Sequence, residues 1–165
     1  MKQFFCLFQQ ALSIKIHKSL DEVTIHYNMF TVKRRINFYD CDPAGILFYA
    51  KLFELNHSVY EEMIDSFKLD VNYWNNEKFA VPIIKTDGEY LKPLKSGDEI
   101  KINLSVTLLK ENSFQLTYEW LNSGGKMAAS ARTVHVFVDK NKWKKVSIPE
   151  EINKKLESHQ RDLNL

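Results

Sequence analysis

The sequence predicts an α+β domain: an antiparallel five-stranded sheet wrapped around one long central helix, with a C-terminal helix. Three observations predict it. Residues 48–67 carry the only long, strongly helical period in the body of the chain. Four strand-like segments follow, joined by short polar or glycine turns. A fifth strand precedes the helix. Short turns make sequential strands antiparallel neighbours, and one apolar helix beside such a sheet is an α+β layout.

The first strand is predicted over Thr31 to Tyr39, with Val32, Ile36 and Phe38 as its apolar members. Asp40-Cys41-Asp42-Pro43-Ala44-Gly45 breaks it, because proline and glycine at that spacing demand a loop. The helix runs from about Phe48 to Phe67. Leu52, Phe53, Asn56, Val59, Tyr60, Met63, Ile64 and Phe67 recur at helical spacing. Lys51, Glu54, Glu61, Glu62 and Asp65 supply the other side, and the sheet is expected to bury the helix on most sides. The polar stretch Asp70 to Lys78 is a connection. Phe79 to Leu91, Asp98 to Leu109, Phe114 to Leu121 and Met127 to Val138 are the remaining strands. Lys95-Ser96-Gly97-Asp98, Lys110-Glu111-Asn112-Ser113 and Asn122-Ser123-Gly124-Gly125 are the turns between them. The C-terminal helix starts at Ile148-Pro149-Glu150-Glu151 and runs to about Arg161, with Pro149 tolerated in its first turn.

The chain of 165 residues fits one domain, and 44% apolar residues suffice for a core. The domain is expected over 29–145, with a C-terminal helix and tail over 146–165. Residues 1–28 are expected to be an N-terminal appendage, or the product of an upstream start codon, because Met29 immediately precedes the first convincing strand. The apolar run Phe4 to Phe8 is shorter than the roughly 7–15 residues of a secretory core. No stretch approaches the roughly 20 apolar residues of a membrane span. Lys plus Arg is 23 against 21 for Asp plus Glu, a balance without a nucleic-acid signature. Cys6 and Cys41 cannot build a disulfide framework, which fits a reducing, cytoplasmic compartment. His17, His26, His57, His135 and His159 show no metal-ligand spacing, so no metal is expected.

Phe38 to Tyr49 carries the chemistry. It places a carboxylate in a loop that feeds a helix N-terminus. The first helical N–H groups lack intrahelical partners. With the macrodipole they suit an oxygen that becomes negative during reaction. A carboxylate beside them can attack a carbonyl carbon or deprotonate a water that does. Activated esters and thioesters fit, because their leaving groups need no strong acid. There is no Gly-x-Ser-x-Gly elbow, and Gly124-Gly125-Lys126 lacks the spacing of a phosphate loop.

Asp40-Cys41-Asp42-Pro43-Ala44-Gly45-Ile46, followed by Phe48-Tyr49 and a helix, resembles the hot-dog-fold thioesterases of the 4-hydroxybenzoyl-CoA type and the Tol–Pal-associated short acyl-CoA thioesterases. The resemblance runs from about Phe30 to Val138. It implies that Asp42 is the catalytic aspartate, as nucleophile or general base. It also implies that the backbone N–H of Tyr49 polarises the thioester carbonyl. Tol–Pal relatives often place histidine there, so Tyr49 favours the 4-hydroxybenzoyl-like branch. Pro43, Gly45, Ile46 and Phe48 would line the substrate, with Gly45 allowing close backbone approach. Asp40 would tie down the loop, and Glu62 is a weaker candidate for a helical carboxylate. His57 stands where the 4-hydroxybenzoyl enzyme carries a carboxylate for the ring hydroxyl, so an aliphatic or other aryl acyl group fits equally well.

For coenzyme A, the resemblance points to Lys110 and Ser113. Lys92, Lys95 and the run Lys140, Lys142, Lys144, Lys145 are alternative phosphate partners. No cofactor is expected, since coenzyme A belongs to the substrate. The family implies a homodimer or a dimer-of-dimers tetramer with sites built from both chains. The expected reaction is hydrolysis of an aryl- or short to medium acyl-CoA to free acid and coenzyme A. Acyl carrier protein as the acyl donor, or a non-catalytic acyl-binding or scaffolding role, are the alternatives. A hot-dog dehydratase would need a paired histidine and carboxylate in the loop, which this segment lacks.

Overall fold

A computed structural model describes residues 12–13, 26–27 and 29–161 of the chain. A short antiparallel ladder joins β1 (Leu12–Ser13) to β2 (His26–Tyr27); the rest of the predicted appendage lies outside the described residues. The body begins with β3 (Phe30–Arg35), a 3-10 turn (Phe38–Asp40) and α1 (Tyr49–Ser66). Then come β4 (Phe79–Ala80), β5 (Ile83–Tyr90), β6 (Glu99–Lys110), β7 (Ser113–Asn122), β8 (Met127–Val136), β9 (Val138–Asp139) and α2 (Glu150–Glu157).

Five strands form one antiparallel sheet in the order β3-β6-β7-β8-β5. Val32, Ile102, Trp120, Ala129 and Tyr90 form one row across all five strands. Side chains alternate between faces along a strand, so this row and its even neighbours present one face to α1. Ile102, Leu104, Leu116, Tyr118 and Trp120 from the sheet join Leu52, Val59, Met63 and Ile64 of α1 in the core. Each such side chain contributes about 1.5–3 kcal/mol on burial. Buried Asn56 accepts the Trp120 indole N–H at 2.8 Å, which fixes the rotation of α1 over the sheet. Gly88 of β5 lets Leu52 and Phe53 approach the backbone.

The helix keeps its predicted bounds to within a residue at each end. Phe48 and Phe67 are its caps, and Lys68, at φ 51°, takes the left-handed position beyond the C-cap. Four expectations change. The first strand stops at Arg35, and Phe38, 86% exposed, turns outward in the 3-10 turn instead of entering the core. Asp40 closes that turn by accepting the Asn37 backbone N–H at 2.8 Å. The segment Phe79 to Leu91 is two strands, because Pro82 has no N–H to lend a ladder; β4 pairs with β9 instead. The sheet does not bury α1 on most sides: Glu54, His57, Glu61, Glu62 and Asp65 stay exposed along one stripe. Finally, α2 ends at Glu157, and Pro149 is its N-cap. The chain beyond it turns to lie along β6, where Arg161 donates its backbone N–H to Val106 O at 2.8 Å. No helix among the described residues is long and apolar enough to cross a membrane.

Candidate active site

The loop between β3 and α1 folds back on itself. Cys41 and Leu47 form a bridge, Asp42 N–H donates to Ile46 O at 2.9 Å, and Gly45 N–H donates to Asp42 O at 2.9 Å. Gly45 has φ 76°, a conformation that costs glycine least. The Asp42 carboxylate accepts the Ala44 N–H through Oδ1 at 2.8 Å. Asp42 is half-buried. The loop is pinned to the connection between β5 and β6 by Leu47 N–H to Leu94 O at 2.7 Å and by the Ile46–Lys95 bridge.

The two aspartates have separate environments. Asp40 is 2% exposed and accepts both the backbone N–H and the side-chain amide of Asn37. Lys51 Nζ lies 3.8 Å from its other oxygen. The Lys51 ammonium is held above the ordinary lysine range chiefly by its hydrogen bond to Glu54. Asp40 O also accepts Phe48 N–H at 2.9 Å, so this residue sets where the helix begins. These contacts are those of a carboxylate that ties down the loop.

At the helix start, Phe48 makes no side-chain capping bond, and the first turn carries no acidic side chain. The N–H groups of Tyr49 and Ala50 therefore have no hydrogen-bond partner among the described residues. They retain the partial positive charge of a helix N-terminus. Tyr90 reaches over from β5 and donates its hydroxyl to Tyr49 O at 2.5 Å. Burial first, and then the neighbouring Tyr49, raise the Tyr90 phenol above the ordinary tyrosine value, which keeps it a donor.

Asp42 and this helix end open onto one cleft of about 470 Å³, lined also by Ile46, Phe48, Tyr90, Leu91, Lys92 and Leu94. The structure thus brings together Asp42, Tyr49, Ile46, Phe48 and Lys92. Pro43 and Gly45 sit on the exposed outer turn of the loop. His57 is two turns further along α1, where its Nε2 lies 3.3 Å from Glu61 and its ring 6.2 Å from that of Trp74. Glu62 lies outside this cleft, in an ion pair with Arg34.

Lys110 and Ser113 are not in this cleft. They face each other across the β6–β7 turn, level with Val136, whereas Tyr90 is level with Ala129. The two groups occupy opposite ends of the sheet. Tyr90, Leu91 and Leu94 were not singled out from sequence. Their one local signal is the aromatic residue that ends a strand just before Leu91-Lys92-Pro93.

A family model described as the thioesterase-like superfamily matches residues 36–156. A 1,4-dihydroxy-2-naphthoyl-CoA hydrolase of Crocosphaera subtropica is 32% identical, over 80% of this chain and 98% of that protein. Its counterpart in Nostoc punctiforme is 31% identical, over 81% of this chain and 90% of that protein. The crystal structure of a 1,4-dihydroxy-2-naphthoyl-CoA thioesterase from Synechocystis superposes with a TM-score of 0.73 at 25% identity, covering 83% of this chain and 98% of that one. These relatives are named for a dihydroxynaphthoyl ester, not a 4-hydroxybenzoyl one.

Proposed function

The chain belongs to the thioesterase-like superfamily with the hot-dog fold, and we propose that it hydrolyses an aryl-CoA of the 1,4-dihydroxy-2-naphthoyl kind to the free acid and coenzyme A. It is a thioester hydrolase acting on acyl-CoA. The finer substrate follows from the relatives' names and from the cleft. Phe48, Tyr49, Tyr90, Leu91 and Ile46 make apolar and aromatic walls suited to a flat ring system. Tyr49, Phe53 and His57 lie one turn apart along α1, so a ring entering at the helix start runs toward His57. Held by Glu61, His57 is the polar group on that line that reads a ring hydroxyl.

One juxtaposition supports the mechanism: a half-buried carboxylate and two uncapped helix N–H groups share a single cleft. The thioester oxygen docks on the N–H groups of Tyr49 and Ala50, where charge developing on it is stabilised. Asp42 then attacks the carbonyl carbon or takes a proton from a water that attacks it. Collapse of the tetrahedral centre breaks the C–S bond and releases the coenzyme A thiolate. In the nucleophilic case, water subsequently cleaves the acyl–Asp42 anhydride.

Assembly accounts for the distant Lys110 and Ser113. β5 is an edge strand with Ile83, Ile84 and Tyr90 exposed, and bare edges invite pairing. A second copy added antiparallel across β5 sets its Ile83 end beside this chain's Tyr90 end. That carries its Lys110–Ser113 turn toward the Asp42 cleft, so the site is composite.

The test is thiol release from 1,4-dihydroxy-2-naphthoyl-, benzoyl- and hexanoyl-CoA by the wild type and Asp42→Asn. Asparagine keeps an oxygen for the Ala44 N–H, so the loop survives. The expected result is the highest kcat/KM on the naphthoyl ester and a loss of about 10²–10⁴ in kcat in the variant. Undiminished turnover by Asp42→Asn would remove Asp42 from the chemistry. Release only from acyl carrier protein esters would replace coenzyme A as the donor, and no release from either would favour an acyl-binding role.

A further inference from the structure

The turn that follows β9 holds an arrangement that neither the cleft nor the fold uses. Trp143 is 65% exposed and has φ 54°, a backbone region unusual for a bulky residue. The turn is tightly built. Trp143 N–H donates to Asp139 O at 2.8 Å and Asp139 N–H to Lys144 O at 2.8 Å, while Asp139 Oδ1 accepts from Asn141 and Lys142. The indole is therefore presented on a rigid support, not left on a frayed loop. Lys142, Lys144 and Lys145 flank it in sequence, all exposed and none in an ion pair among the described residues.

The turn also has a neighbour. Phe137 N–H donates to Asn112 O at 2.9 Å and Ile148 N–H to Glu111 O at 2.8 Å. The segments on either side of the Trp143 turn are thus hydrogen-bonded to the turn that bears Lys110 and Ser113. An exposed indole on a turn that also carries three exposed lysines, none in an ion pair among the described residues, matches a ligand with a planar base and several phosphate charges. Stacking is sequence-tolerant and strong, and lysines hold phosphates as point charges.

We propose that Trp143 is a stacking platform for the adenine of coenzyme A, with Lys142, Lys144 and Lys145 on its phosphates. This rests on the coenzyme A ester reading above and adds the residue that distinguishes a nucleotide-bearing substrate from one carried on a protein. Trp143 is a binding residue and takes no part in the acyl chemistry.

The experiment has two arms on the full chain. In the first, 3′,5′-ADP is titrated calorimetrically into wild type, Trp143→Ala, Trp143→Phe and the double variant Lys142→Ala/Lys144→Ala, with melting curves as a folding control. Trp143→Ala is expected to weaken binding about tenfold, Trp143→Phe to retain most of it, and the lysine variant to flatten its dependence on salt. In the second, KM is measured for an aryl-CoA and for the same acyl group on N-acetylcysteamine. The variant is expected to raise KM for the coenzyme A ester alone and to leave kcat unchanged. Binding that depends on Trp143 in a protein that hydrolyses nothing would sink the thioesterase reading and leave this site standing. Equal affinity of wild type and Trp143→Ala for the nucleotide would overturn the proposal. So would Trp143-dependent binding to vesicles containing anionic lipid with nucleotide affinity unaltered, which would reassign the turn to a membrane surface.

Discussion

The imidazole of His135 lies flat on the ring of Phe114, their centroids 4.6 Å apart and their planes 6° from parallel. The same imidazole meets Tyr60 on α1 at 4.5 Å, and its Nε2 is 2.8 Å from Thr133 Oγ1. Its Nδ1 has no hydrogen-bond partner among the described residues, and the residue is fully buried. Burial, and secondarily the nearby His57, push the His135 pKa down to about 3. Folded, His135 is neutral; unfolded, it takes up a proton below its ordinary value of 6.5. Stability from this residue is therefore complete above pH 6.5 and is lost progressively as pH falls toward 3. The slope is about 1.4 kcal/mol per pH unit at most. Urea melts at pH 7, 6 and 5 should show this loss, and His135→Phe should flatten it. An equal slope in the variant would assign the acid sensitivity elsewhere.

Asp40 and Asp42 should separate cleanly by substitution. Asp40→Ala leaves the Asn37 backbone N–H without its acceptor and removes the charge 3.8 Å from the Lys51 ammonium, which keeps its hydrogen bond to Glu54; it is expected to cost about 1.5–3 kcal/mol of stability. Asp42→Asn should leave the melting temperature in place and remove turnover. Thermal melts and steady-state kinetics on the two variants check this; a stable Asp40→Ala protein would mean the 3-10 turn holds without its carboxylate.

At Gly88, α1 packs closely against the edge strand β5. A Cβ there would lie 3.0 Å from Leu52 Cδ2 and 3.2 Å from Phe53 Cζ. Leu52 is fully buried and has nowhere to go. Gly88→Ala should therefore lower stability by about 1–3 kcal/mol. It should also raise KM, because Phe53 lies one turn from Tyr49. Chemical denaturation and kinetics read both effects; an unchanged midpoint would show that the helix rides freely over β5.

Ile84, 60% exposed on the edge strand, sits at the irregularity between Ile83 and Lys85. Ile84→Lys places a charge on an edge of the kind that blocks pairing. Sedimentation should show the wild type as a dimer or larger and the variant as a monomer, with turnover lost in parallel. A fully active monomer would mean that one chain holds the complete site.

The sequence by itself determined the local parts of this protein. The period of 3.6 from Leu52 to Phe67 made a helix, because helical spacing is visible within two turns. Pro43 and Gly45 made the loop, and the turns at Ser96-Gly97 and Gly124-Gly125 made antiparallel neighbours. Asp42 before a helix start was legible for the same reason: carboxylate, turn and helix N-terminus lie within eight residues. Tertiary structure decided what lies far apart in the chain. It brought Tyr90 and Lys92 to a cleft opened by residues nearly fifty positions earlier. It also separated Lys110 and Ser113 from that cleft by the length of the sheet. Phe38, apolar and in strand register, points to solvent because Asn37 and Asp40 close a turn beneath it. His135 looks like any strand histidine until the sheet stacks it on Phe114 and α1 covers it with Tyr60. Hydrophobic period and turn chemistry act between neighbours in sequence. Burial, edge exposure and the meeting of two strand ends depend on strand order, which no short window of residues contains.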